Sequence, residues 1–132
     1  MSNNKKKIQV GSIKLAPNGQ NKFEGIVYAH KLNATNEYYV GETTNEELRK
    51  SVWNNQKSSY GGQKIKKARE EFGIDSKTWN YMVLEHVEAS TPDELAKELV
   101  EREKNWIEEL DSVANGFNGN YGGRGMTGLK LT

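Results

Sequence analysis

Tyr28, His30, Tyr39, Arg49 and Glu103 are the side chains whose types and spacing could do chemistry. Together they hold what hydrolysis of a phosphodiester requires. A cation must offset charge on the phosphorane-like transition state, and a base must take a proton from water. Arg49 could grip a phosphate bidentately. Glu103 could anchor a single magnesium ion that keeps most of its waters. A tyrosine can act as base only when neighbouring positive charge lowers its pKa from about 10; Arg49 and the metal would supply that charge. The set suffices for this chemistry without being unique to it.

The elements that must position these residues start with a hairpin over 23–43, FEGIVYAHKLNATNEYYVGET. The polar run Asn33-Ala34-Thr35-Asn36 makes the turn, so Leu32 pairs with Glu37, His30 with Tyr39 and Tyr28 with Gly41. Period-two alternation then puts Tyr28, His30, Tyr39 and Gly41 on one face, and Val27, Ala29 and Val40 on the other. The first face is an odd one for a core and reads as the floor of a cleft. Thr44-Asn45-Glu46-Glu47 is a capping box with Thr44 as N-cap, opening a helix to about Gln56 that buries Leu48 and Val52. Arg49 and Trp53 lie four apart on an adjacent stripe. A second helix over 63–72 carries Lys64, Lys66, Lys67 and Arg69 and stops at Gly73; 79–87 alternates as a third strand.

The third helix has the strongest start signal, with Thr91 as N-cap, Pro92 at N1 and Glu94 completing the box. Its apolar positions 95, 96, 99, 100, 106, 107 and 110 sweep out one stripe, and Glu103 falls near the middle of it. A carboxylate there is costly unless something positive or hydrogen-bonding meets it. Gly116 is the expected helix stop, in a glycine-rich coil over 115–125. Upstream, Ile8, Val10, Ile13 and Leu15 could form a short edge strand, followed by the breaker Ala16-Pro17-Asn18-Gly19. The expected organisation is a tail over 1–22, a single α/β (α+β) domain over 23–120 and a glycine-rich tail over 121–132.

Composition narrows the classes. With 132 residues the chain is one domain with a modest core. Mean hydropathy is −0.89, and neither a bilayer-spanning stretch nor the apolar region of a signal peptide is present. Cysteine is absent, which excludes disulfides and thiolate metal sites and fits a reducing, cytoplasmic setting. The 2 histidines, His30 and His86, argue against a histidine-rich zinc site and toward a hard cation on carboxylate oxygen. Net charge is +1, from 19 basic and 18 acidic residues, so a nucleic-acid partner would need the basic residues gathered on one side. The second helix offers such a phosphate-tracking strip.

Ile26-Val27-Tyr28, Tyr39-Val40-Gly41, Arg49, the run VEREKNWIEELDSVANGFN over 100–118 and their order resemble the GIY-YIG nucleases. The likeness is closest to the catalytic domain of phage intron-encoded homing endonucleases and covers roughly 23–120. It implies a small domain with a three-stranded antiparallel sheet flanked by helices, here with a possible extra N-terminal strand. It also implies cleavage of double-stranded DNA with one divalent ion, Mg2+ or Mn2+. By position, Tyr28 matches the general base or water positioner and Tyr39 its supporting tyrosine, while Gly41 leaves room for phosphate. Arg49 matches the transition-state arginine, Glu103 the metal ligand and Asn118 the asparagine that steadies the site. The sequence departs in reading Ile26 where the first triplet has glycine, Trp53 where relatives often have histidine, and Tyr60 near a further histidine; His30 could substitute. Lys64, Lys66, Lys67, Arg69, Gly41 and Trp53 are the expected DNA contacts. The short stretch after Asn118 leaves specificity to this domain, to a homodimer or to fusion with a DNA-binding domain. The alternative class is a module of the same fold that holds DNA or RNA without cutting.

Overall fold

Residue order along the chain gives β1 (Ser12–Leu15), β2 (Asn21–Leu32), β3 (Glu37–Thr43), α1 (Glu46–Asn54), α2 (Gln63–Phe72), β4 (Trp79–Ala89) and α3 (Pro92–Glu109). The computed structural model describes residues 12–15, 21–55, 57–58 and 60–121. The long strand β2 is the axis of an antiparallel sheet. β4 pairs along one edge of it, from Phe23↔Ala89 to Leu32↔Trp79. The other edge is shared by β3, which pairs from Ile26↔Thr43 to Leu32↔Glu37, and by β1, which pairs from Ser12↔Glu24 to Leu15↔Asn21. The sheet is thus three strands wide, as expected, with the N-terminal strand added end to end with β3. Ile8 and Val10, and the coil beyond Tyr121, lie outside the described residues.

The hairpin register is the one the turn residues dictate. Asn36 donates its N–H to the Leu32 carbonyl at 2.8 Å and takes a left-handed φ of 60°, which asparagine tolerates better than other non-glycine residues. His30↔Tyr39 and Tyr28↔Gly41 follow. Alternation along β2 then divides the interior in two. Val27, Ala29 and Val40 join Val87, Leu95, Leu99 and Ile107 beneath α3. Ile26, Tyr28 and Leu32 join Trp53, Tyr60, Ile65, Ala68 and Trp79, contributed by α1, α2 and their neighbours. A central strand covered on both faces must be apolar or aromatic throughout, which is why β2 reads GIVYAH where it is deepest. α3 is capped as its box requires, with Thr91 Oγ1 accepting from Glu94 N at 3.1 Å.

Other local expectations are corrected. The N-cap of α1 is Asn45, whose side chain accepts from Leu48 N at 3.0 Å. Thr43 Oγ1 accepts the Asn45 N–H at 2.9 Å, which ends the strand and frees the Asn45 side chain to cap. Leu48 is 56% exposed, Val52 packs half-buried against the core, and Trp53 is buried. The larger aromatic surface goes inside because it removes more apolar area from water. Helix α3 ends at Glu109 rather than near Gly116. Asp111 takes a left-handed φ of 52°, and the chain folds back under β3. Gly116 is required there for another reason: a Cβ on it would lie 2.6 Å from the Tyr38 carbonyl oxygen and 2.7 Å from Ser112 Cα. Among the described residues no helix is long and apolar enough to cross a membrane.

Candidate active site

The polar face of the hairpin is buried, with Tyr28 at 2% and His30 at 3% exposure. The expected cleft floor is therefore roofed, and the roof is Trp53 and Tyr60. Tyr60 Oη donates to Tyr28 Oη at 2.8 Å, and His30 Nε2 lies 3.2 Å from the same Tyr60 oxygen. The His30 ring stacks on Trp53 at 3.7 Å with the planes 7° apart. Arg49, half-buried on α1, acts electrostatically on Tyr28 and holds its Cζ 4.4 Å from the centroid of the Tyr60 ring. Tyr39 packs edge-on against Tyr60, centroids 5.6 Å apart.

Charge reaches this cluster from several sides. Burial raises the Tyr28 phenol above its ordinary pKa; Arg49 and the Tyr60 hydrogen bond pull it down by less, and Glu103 adds to the rise. Tyr39 is also raised, chiefly by burial, with Tyr28 and Glu103 contributing, and burial does the same to Tyr60. Burial works to lower the Arg49 pKa, but Tyr28, with Tyr60 and Tyr39, raises it by more, and the guanidinium is charged at neutral pH as arginines are. His30 is pushed down to about 3 by burial and by the nearby Arg69, Arg49 and Lys50 cations, so it is a neutral hydrogen-bonding partner at neutral pH. In the protein alone, then, Tyr28 is a neutral phenol: the expectation that its pKa is lowered holds for the Arg49 contribution and is overridden by burial.

Glu103 sits half-buried on α3, between the buried Leu99 and Ile107. Although α3 packs on the opposite face of the sheet, the Glu103 carboxylate acts on both Tyr28 and Tyr39. Among the described residues no three His, Asp or Glu side chains converge as a metal-holding group. A single carboxylate fits a hard cation that keeps most of its water, and suits zinc or a soft metal poorly.

The remaining sequence-predicted residues divide. Asn118 is buried, and its amide clasps Val40 in both senses, accepting from Val40 N at 2.8 Å and donating to Val40 O at 2.9 Å. It steadies β3 between Tyr39 and Gly41. Gly41 faces the Tyr28 phenol, which fills the space expected for phosphate. Trp53 is buried against His30 and presents little surface to DNA. Lys64, Lys66 and Lys67 are exposed on α2; Lys66 pairs with Glu70 at 3.9 Å, and Lys64 donates to the Val113 carbonyl. Arg69 is not part of that strip, since it is 2% exposed and turned inward onto backbone carbonyls. Tyr60 is the member that local pattern does not single out: it sits in the loop SSYGG between helices. Its one signal is the histidine that relatives place near it.

The fold is α+β and like that of the catalytic domain of a GIY-YIG homing endonuclease. One solved structure to which the chain is similar is a mutant of the catalytic domain of intron endonuclease I-TevI. The TM-score is 0.62 and the identity 25%, over 78% of this chain and 100% of that one. Another, the catalytic domain of homing endonuclease I-TevI, gives a TM-score of 0.57 and 26% identity over 71% of this chain and 96% of that one. No family model and no curated protein matches the sequence. The similarity supports a nuclease, and within that class an endonuclease.

Proposed function

We propose that the protein is a metal-dependent DNA endonuclease that hydrolyses a phosphodiester by attack of an activated water. The observation that carries this reading is the Tyr60–Tyr28 hydrogen bond with the Arg49 guanidinium over the Tyr60 ring and Glu103 within electrostatic reach of Tyr28. Arg49 grips the phosphate and stabilises charge on the equatorial oxygens. Tyr28 orients the water and, once its own proton has passed to solvent, takes the water's proton as the phenolate; Tyr60 holds the Tyr28 oxygen in place. Glu103 would hold one Mg2+ or Mn2+ ion, whose charge would offset the phosphorane and draw the Tyr28 pKa down toward neutrality. Tyr39 and Asn118 keep β3 in register behind the phosphate. The exposed Lys64, Lys66 and Lys67 follow the backbone of double-stranded DNA, whose affinity then falls with salt.

The test is incubation with supercoiled plasmid in Mg2+, then with EDTA, alongside Glu103→Ala and Arg49→Ala. Nicked product that disappears with EDTA and in both variants is expected. No nicking by the intact chain with any divalent ion refutes the nuclease reading, and salt-sensitive retention of uncut DNA would replace it with a binding module. Nicking that survives Glu103→Ala removes Glu103 as the metal ligand.

A further inference from the structure

Arg69 lies on the lysine-bearing helix α2, where an arginine would ordinarily be solvated, yet it is 2% exposed. Its guanidinium gathers carbonyls from the end of α1 and the loop after it. Nη2 donates to Trp53 O at 2.6 Å and to Asn55 O at 3.1 Å. Nη1 donates to Ser58 O at 3.2 Å. The last carbonyls of a helix lack intrahelical partners, and the last turn of α1 carries no basic residue of its own. Arg69 therefore supplies from α2 the cation that this helix end lacks, and its donors add to those of Ser58, whose Oγ donates to Val52 O at 2.6 Å and to Asn55 O at 2.7 Å. The Arg69 Cζ also lies 5.0 Å from the Trp53 ring centroid and 5.2 Å from that of Tyr60.

The consequence runs into the site. Trp53 and Tyr60 are the groups that hold His30, by stacking and by hydrogen bond, and Tyr60 is the hydroxyl that holds Tyr28. We propose that Arg69 is a positioning residue: by clamping the Trp53, Asn55 and Ser58 carbonyls it sets Tyr60, and through Tyr60 the Tyr28 phenol, against Arg49. As a role in catalysis this rests on the nuclease reading above; as a statement about Tyr60 it does not. Lysine cannot replace it, because one ammonium point cannot span the Trp53 and Ser58 carbonyls as a planar fork does.

The experiment compares the intact chain with Arg69→Lys and Arg69→Met, each also in a Tyr60→Phe background. Two quantities are read: plasmid-nicking kcat and KM in Mg2+, and the His30 Nε2 resonance without DNA, which reports the hydrogen bond to Tyr60. Misplacing a reacting group by an ångström costs up to about 100-fold in rate, so kcat should fall by about tenfold or more with KM within about twofold. The His30 resonance should move, with Arg69→Lys intermediate. Once Tyr60 lacks its hydroxyl, changing Arg69 should have little further effect on kcat. If Arg69→Met does not fold, Arg69→Lys decides alone. An unmoved His30 resonance in folded Arg69→Lys overturns the proposal, as does an unchanged kcat or a loss that persists undiminished in Tyr60→Phe. If the intact chain cuts nothing, the nuclease reading fails, and the His30 resonance still decides whether Arg69 holds Tyr60.

Discussion

Gly41 lies directly beneath the phenol of Tyr28: a Cβ built on Gly41 would be 2.5 Å from both Cζ and Oη of that ring. The two residues are cross-strand partners, so the absent side chain on β3 is what lets the tyrosine of β2 lie inward. Gly41→Ala must displace the phenol from Tyr60 and Arg49. Overpacking of this kind costs about 1–3 kcal/mol. Urea unfolding should show that loss, and plasmid nicking should fall far more than the folded fraction does. Full nicking by Gly41→Ala would show that the Tyr28 position is not needed.

His30 makes stability sensitive to acid. Its folded pKa, about 3, is below the unfolded value of 6.5. The unfolded chain therefore binds the proton first. The stability that follows from keeping His30 neutral is present above about pH 6.5 and drains away as pH falls toward about 3. The slope is about 1.4 kcal/mol per pH unit once the unfolded histidine is protonated. His30→Phe should flatten the curve between pH 6 and pH 4, read as urea midpoints at each pH. A variant that loses stability as steeply as the native chain would assign the acid limb to other groups.

Asn118 should matter for folding as well as for activity. Asn118→Ala leaves the Val40 N–H and C=O unpaired in a buried place. The cost is about 1–3 kcal/mol for each group that finds no water. Hydrogen exchange at the Val40 amide should accelerate well beyond that of Val27 or Ala29. Protection that is unchanged would mean that the clasp is not what holds β3.

The start of α1 offers a direct contrast between neighbours. Asn45→Ala removes the side chain that accepts from Leu48 N and should cost about 1 kcal/mol. Thr44→Ala should cost little, because the capping bond does not involve it. Equal losses in thermal or urea unfolding would contradict this cap.

Much of this protein is legible without coordinates, where the information is local. The turn at 33–36 and the alternation on either side of it dictate His30↔Tyr39 and Tyr28↔Gly41, since a one-residue slip would turn the whole apolar set to the other face. The Thr91 cap and the stop of α2 at Gly73 are equally local. Glu103 stands out because a carboxylate breaks an apolar stripe. Asn45 shows the limit: a capping box at Thr44 and a cap one residue on have nearly the same letters, and the side chain of Thr43 decides between them.

What the amino-acid sequence by itself determined is which residues share a face, and so that Tyr28, His30, Tyr39 and Gly41 stand together. Periodicity says nothing about what covers that face. Only the packing of α1 and α2 on the sheet decided that Trp53 and Tyr60 roof it, and that Tyr28 is a buried phenol with a raised pKa rather than an exposed one. The same packing turned Arg69 away from the lysines beside it. A buried guanidinium is tolerated only where several carbonyls meet it, and those carbonyls come from Trp53, Asn55 and Ser58, whose approach no local pattern on α2 records.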